Sequence, residues 1–557
     1  MKHSLKIFCL VFIFFSSSCS ITELEENLDN PNEVGLSNLD VNLLMNKVQA
    51  EFGEFVSLAN VPGMELSRMT ALIGGDVYER AYQAQDHNDI WERAYQDVLI
   101  QLETLLGKTD GTGYTLHSGT GRVLKAYVLL TLVDLFGDVP YSEALSGGTL
   151  VFNPNTDNGK AVYDAAITLL DEAITLLGQA PGAGQGLSRD IFYGGSSAKW
   201  IALANTLKLK AYMNLRLTDK AGATAKIGEL LGKDLIDTDA EEFTYKYSSA
   251  DVPTRSRHPL YRQMYQPSAG SASGYINNYF MLVSYKQKGV EDPRWRYYFY
   301  RQVGSIARAL EYDAESIPCL ISPRPSHYGS DQAWCAFDPG FFGRDHGNND
   351  GIPPDAGALT CFGVYPAGGL SDTNLDDPDF FEETVQGQGA NGAGIQPIWM
   401  ANFTEFLKAE AALTLGTPGD AASLLTSAVT KSIARVRSFA DAKGQSLPAG
   451  MEPSETDYIN AVNTLYANAA DDDAKLGVLA KEYYIALWGN GIEGYNLYRR
   501  TAKPADIQPM RAASPGVFLR SLIYPADFVN LNSSATQKVV TSVNKVFWDN
   551  NPDNLFR

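Results

Sequence analysis

The helical hydrophobic period is the feature that most limits what this chain can become. In SSAKWIALANTLKLKAYMNLRL, residues 196–217, the apolar positions Trp200, Leu203, Ala204, Leu207, Ala211 and Leu215 share one stripe, while Lys199, Lys208, Lys210 and Arg216 fall off it. Such a stripe needs another helix to cover it. AVYDAAITLLDEAITLLG repeats the pattern through Val162, Ala166, Leu169, Ala173 and Leu176, with Gly178 as a stop. GRVLKAYVLLTLVDLFGDVP, residues 121–140, is apolar nearly all round and therefore predicts a buried helix ended by Gly137 and Pro140. Ala- and Leu-rich helices joined by short Gly-containing turns predict a mostly α fold of helix-turn-helix repeats packed into a superhelix.

The pattern stops in the middle of the chain. Between Ile321 and Ile398 stand thirteen Gly and eight Pro, interleaved with Tyr328, Trp334, Phe337, Phe341, Phe342 and Tyr365. A loop that long inside a compact domain predicts an irregular functional lobe. Helical pattern returns in FTEFLKAEAALTLG, in a segment from about Gly419 to Ala440, and in LGVLAKEYYIALWGNGIEGYNLYRR, whose Leu476, Leu479, Ala480, Tyr483 and Leu487 share a face. The expected organisation is a helical half at 39–245, an irregular ligand-binding lobe at 246–400 and a C-terminal helical half at 401–557, forming one unit.

The N-terminus carries an export signal over residues 1–18: Lys2 and Lys6, an apolar run from Ile7 to Phe15, then Ser16, Ser17 and Ser18. The run is too short to span a bilayer, which takes about 20 apolar residues. Cys19 follows directly, as in the lipobox of bacterial lipoproteins, where the cysteine is acylated; Ser16 stands where the usual Leu would be. Several acyl chains at about 0.8 kcal/mol per buried CH₂ would hold a large soluble body on a membrane. Residues 19–38, with Glu23, Glu25, Glu26 and Asp29, read as a solvated tether. Only Cys319, Cys335 and Cys361 remain in the body, which allows one disulfide and leaves a thiol over. The formal charge of -20 repels phosphates, so nucleic acid and anionic lipid are excluded as partners of the body, and the membrane is reached through the anchor only.

Six phrases occur in an order that resembles the SusD-like (SusD/RagB) family of outer-membrane nutrient-binding lipoproteins: LTLVDLFGDVPYSEAL at 130–145, SAKWIALANTLKLKAYMNLR at 197–216, DPRWRYYF at 292–299, FGRDHGNNDGIPPD at 342–355, AKEYYIALWGNGIEGYNLYRRT at 480–501 and LIYPADFVNLN at 522–532. The resemblance implies a tetratricopeptide-like scaffold with an irregular binding lobe. It also implies surface display and partnership with a SusC-like TonB-dependent outer-membrane transporter. It implies a non-enzymatic binder of oligosaccharides, or of peptides in one branch, and transfers no particular binding residue.

A protein that holds glycans needs flat aromatic faces for the apolar side of pyranose rings, with amides or charged groups nearby for the hydroxyls. The candidates are Tyr78, Tyr82 and Trp91 in DVYERAYQAQDHNDIWERAY, with Asn88 and Asp86 beside Trp91, and Trp334 and Tyr365 in the lobe. Trp200 and Trp488 lie on apolar stripes and are assigned to packing.

Other signals are weighed and set aside. Ser196 and Lys199 have the spacing of a serine acyl-enzyme, but the companion motifs are missing and a helix N-cap explains the serine. Asp345, Asn348, Asn349, Asp350 and Asp355 offer oxygen ligands to calcium without EF-hand spacing, so no cofactor is expected. Arg344 and His346 read as donors within that same loop. The histidines form no zinc motif. Glu382, Glu383, Glu405 and Glu482 could serve an all-helical glycosidase, but nothing selects a pair. Arg499 and Arg500 read as a structural anchor to carboxylates or helix-end carbonyls.

Overall fold

The computed structural model describes residues 40–145, 151–252, 256–266, 274–313, 322–348, 358–371, 377–382 and 386–556. The export signal, Cys19, the tether, Cys319, Asn349, Asp350, Asp355 and Glu383 lie outside the described residues.

The first helix among the described residues is long, Val41–Leu66, and its N-cap Asp40 accepts hydrogen bonds from the backbone N–H groups of Asn42 and Leu43. The helices that follow pack each on its predecessor: a continuous helical segment over 88–109, then Thr115–Phe136, Gly159–Leu177, Ser197–Asn214 and Lys220–Leu230. The helix over Thr115–Phe136 is buried on every side, as its apolar periphery predicts, and ends at Gly137 with φ 75°. The stripe of the Ser197–Asn214 helix is buried as read, but Lys210, expected on the solvent side, is 1% exposed. Its ammonium lies 2.6 Å from Glu493 and 3.4 Å from Asp134, partners from distant helices that one helix's periodicity does not show. Ser196 occupies the N-cap position without a side-chain cap bond, and Lys199 donates to Ala240 O.

The second helical group runs Ala401–Leu415, Ala421–Ala442, Glu455–Ala467, Asp472–Ala486 and Gly491–Thr501, again with sequential neighbours in contact. The Glu455–Ala467 helix was not legible as a separate element, and the stretch read as one helix from Leu476 onward is two, parted at Gly489 and Asn490. Gly491–Thr501 returns onto the first helix and joins the two groups. The approach needs glycine on both sides: a Cβ on Gly63 would stand 2.2 Å from Gly491 O, and one on Gly491 would stand 2.1 Å from Asn60 O.

The lobe leaves the helical body through a two-stranded neck. Phe243–Lys246 pairs antiparallel with Ile395–Trp399, Phe243 opposite Trp399 and Lys246 opposite Ile395. Both ends of the insertion therefore emerge side by side, and the helical stack continues past it. Among the described residues between 322 and 394 there is no helix, only two-residue strands and turns, whereas the earlier part of the lobe carries Pro259–Tyr265, Asn278–Tyr285, Trp295–Tyr298 and Ile306–Asp313. The lobe is fixed to the body by aromatic packing: Trp488, fully buried, stacks on Phe280 at 4.5 Å and lies against Phe362 at 6.0 Å. Trp200 is fully buried too. Cys335 is disulfide-bonded, and Cys361 is a buried thiol donating to Leu359 O. Among the described residues no helix is long and apolar enough to cross a membrane.

Candidate functional site

A cleft of about 1220 Å³ opens between the helical segment over 88–109, the loop after Gly137, and the short C-terminal helix Ala526–Leu531. One wall is a single face of the first of these: Asn88, Glu92, Gln96, Ile100, Thr104 and Lys108 follow at steps of four, with Trp91, Tyr95, Glu103 and Gly107 beside them. A regular α-helix turns once in 3.6 residues, so repeated steps of four would carry the stripe off the face. The π-helical turn over Arg93–Leu99, between Asn88–Glu92 and Ile100–Thr109, takes up the difference.

Trp91 is half-buried at the centre of a ring cluster: Phe528 at 4.6 Å, Tyr95 at 5.0 Å, Phe136 at 5.2 Å edge-on and Tyr524 at 6.2 Å. Hydrogen bonds hold the walls together. Asp527 N donates to Asn88 Oδ1 at 3.1 Å, Tyr95 OH to Pro140 O at 2.7 Å, and Asn532 Nδ2 to Pro154 O at 2.8 Å. The rim is apolar and open to solvent, with Phe152 83%, Leu531 80% and Ile100 50% exposed. The cations of the floor are already paired: Lys125 with Glu103 at 2.5 Å, and Arg122 with Asp110 at 2.7 Å and Glu172 at 2.9 Å. A long groove with aromatic rings, amides and paired floor cations suits an uncharged or cationic chain with hydroxyl groups better than an anion.

The structure thus brings Trp91 and Asn88 together and supplies partners that sequence reasoning did not select: Phe528, Leu531 and Phe152. The other rings stand elsewhere. Tyr78 and Tyr82 are 1% and 2% exposed. Arg68 Nη2 donates to Tyr78 OH, and the Tyr82 hydroxyl meets His346 Nε2 at 3.2 Å. Their faces are taken by each other, by Phe518 and by His346, so in this structure they are packing residues. Tyr365 is also buried, between Tyr298 and Phe439, and accepts from Trp488 Nε1 through its carbonyl. Trp334 is half-buried on the lobe, edge-on to Tyr328 at 6.0 Å and 5.8 Å from the Arg511 guanidinium, apart from the cleft.

The expected loop-internal role of His346 is corrected. His346 reaches back to Leu72 N and Tyr82, and Arg344 lies over Tyr275 at 5.1 Å. With Leu72 N–H donating to Nδ1, the His346 Nε2–H faces the Tyr82 oxygen, and burial holds the ring's pKa well below the usual value. Of the oxygen groups weighed for calcium, Asp345 and Asn348 lie among the described residues. Asp345 is fully buried and accepts from Asn278 Nδ2 at 3.2 Å, Gln508 Nε2 at 2.6 Å and Cys335 N at 3.2 Å. Burial raises its pKa to about 6, and its oxygens are committed to amide donors. Asn348 is buried as well.

The described carboxylates among those weighed for hydrolysis are engaged in ion pairs or hydrogen bonds. Glu482 is fully buried against Lys288 at 2.8 Å, Arg294 at 3.2 Å and Tyr458 OH at 2.8 Å; Glu405 pairs with Lys431 at 3.1 Å; Glu382 accepts from Tyr300 OH at 3.1 Å. Arg500 grips Glu410 through two bonds of 2.9 and 2.8 Å, and Arg499 donates to Arg520 O while lying 3.6 Å over the Tyr495 ring, so both anchor the fold.

Fold and cleft together define a helical-repeat binding protein with an inserted lobe. Comparison with protein families places it further: residues 37–316 match the SusD-like model described as starch-binding associating with outer membrane, and residues 389–554 match that of the SusD and RagB outer membrane lipoproteins. The chain belongs to the SusD/RagB family. Solved structures share its fold at low identity. A chitin-binding protein superposes with a TM-score of 0.66 at 18% identity, covering 92% of this chain and 100% of its own. A SusD/RagB family protein from Bacteroides thetaiotaomicron gives 0.63 at 16% identity over 92% and 100%, and a SusD homologue from Bacteroides fragilis 0.61 at 16% over 89% and 94%. No curated protein sequence matches significantly.

Proposed function

We propose that this protein is a surface-exposed, lipid-anchored outer-membrane lipoprotein that binds oligosaccharides in the Trp91 cleft, without catalysis or cofactor, and passes them to a SusC-like TonB-dependent transporter. The observation that carries the reading is the cleft itself: ring faces of Trp91, Tyr95 and Phe528 in a groove of about 1220 Å³, flanked by Asn88, Gln96 and Thr104. Sugar rings stack on such faces while amides and hydroxyls take up the ligand's OH groups. Family membership and the chitin-binding neighbour support a glycan over a peptide. The pairing of Glu482, Glu405 and Glu382 supports binding over hydrolysis.

The test is retardation in native gels containing a panel of polysaccharides, followed by calorimetry with the best oligosaccharide. Trp91→Ala is expected to weaken binding at least tenfold while a cooperative melting transition shows that the variant remains folded, and the bound polysaccharide should not shorten. Binding of peptides but no glycan, or cleavage of the glycan, overturns the reading. Labelled palmitate entering the wild type but not Cys19→Ala, and co-purification with a large barrel, test the anchor and the partner.

A further inference from the structure

We infer that the aromatic end of the cleft selects glycans that carry free amino groups, so that the ligand is an amino-sugar oligomer in its cationic form; this rests on the glycan reading above. Most charges in the cleft cancel locally, Lys125 against Glu103 and Arg122 against Asp110 and Glu172. Glu92 and Asp527 do not: both are exposed, both line the cleft, and neither has an ion-pair partner among the described residues. Each is the sequence neighbour of one ring of the pair, and all four residues line the cleft. Glu92 follows Trp91 on the helix, and Asp527 precedes Phe528, whose ring lies 4.6 Å from Trp91.

The two walls are locked at this point by the bond from Asp527 N to Asn88 Oδ1, one helical turn before Glu92. Ring faces with uncompensated carboxylates beside them form the environment an ammonium group seeks, through cation–π attraction and Coulomb attraction together. Lys108, the remaining unpaired cation of the cleft among the described residues, stands 16 residues along the same wall, about 24 Å at 1.5 Å per residue. Lys538, which lies 4.6 Å over the Tyr524 ring, is held by Phe136 O, Ser521 Oγ and Leu522 O. A formal charge of -20 draws cations toward the protein from a distance.

The experiment compares a β-linked glucosamine hexamer with the N-acetylated hexamer of the same length, by calorimetry on the wild-type protein at pH 5.5 in 50 and 300 mM salt. The amine form is expected to bind at least tenfold more tightly at low salt. That advantage should fall to threefold or less at high salt, and likewise in the double variant Glu92→Gln, Asp527→Asn. Equal or weaker binding of the amine form overturns the inference, as does an advantage that survives the double variant. If neither hexamer binds but an uncharged glucan does, in a Trp91-dependent way, the amine selectivity fails while the glycan reading stands; if no glycan binds, both fail.

Discussion

Replacing Lys210 by Met tests how the two helical groups are held together. Lys210 Nζ stands 2.6 Å from Glu493 and 3.4 Å from Asp134, all three buried, and 5.5 Å over the Tyr127 ring. Burial alone would lower the lysine's pKa; Glu493 and then Asp134 outweigh it, and the ammonium is held above its ordinary value. At an effective dielectric of about 20 the two attractions are worth roughly 6 and 5 kcal/mol, against a desolvation cost of several kcal/mol per ion.

The carboxylates differ in what they keep when the cation is removed. Asp134 still accepts from Tyr163 OH, from Trp548 Nε1 at 3.0 Å and from Asn496 Nδ2 at 2.8 Å, whereas Glu493 retains Asn496 Nδ2 at 3.3 Å. Lys210→Met should therefore cost about 3 to 5 kcal/mol at pH 7.5, chiefly by stranding Glu493. Adding Glu493→Gln should recover most of that loss. Urea unfolding followed by tryptophan fluorescence reads both. A single-variant loss below about 1 kcal/mol, or a double variant no better than the single, refutes the reasoning.

Gly491→Ala would place a methyl group 2.1 Å from Asn60 O and 2.3 Å from Met64 N, and should destabilise by about 3 kcal/mol through forced separation of the first and last long helices; a thermal melt unchanged within a degree would contradict the packing. His258 is 3% exposed and caps the Pro259–Tyr265 helix through Nδ1, and burial lowers its pKa to about 3. The unfolded chain therefore takes the proton first, so this stability is present above pH 6.5 and lost as pH falls toward 3. Relative to His258→Asn, which keeps the cap, the wild type should lose about 1.4 kcal/mol per pH unit below 6.5, read from urea midpoints at pH 7 and 4.5. Arg500→Met should cost about 3 to 5 kcal/mol by leaving Glu410 with only Arg216, and a small loss in urea unfolding would argue against the buried pair as an anchor.

What was legible in the sequence was local. The stripes of 159–177 and 197–214, the buried helix ended by Gly137, and the burial of Trp200 and Trp488 all follow from periodicity within one element. What was not legible depends on which distant segment lands where. Lys210 looked solvent-facing because Glu493 lies far along the chain. Tyr78 and Tyr82 looked like platform rings because their covers, His346 and Phe518, come from the lobe and the C-terminal region. Trp91 and Asn88 were singled out, but their opposite wall is 439 positions away from Asn88. The phrase LIYPADFVNLN held Phe528 and Leu531 in plain view, and its aromatic and apolar pattern beside a proline was the signal available for a short exposed helix.

The most direct test of the account is a crystal structure of the protein soaked with the oligosaccharide that binds best. The account predicts sugar rings lying along the wall from Asn88 to Lys108, with one ring against Trp91 and Phe528. Sugar seated on Trp334 or elsewhere on the lobe, with the cleft empty, would contradict it.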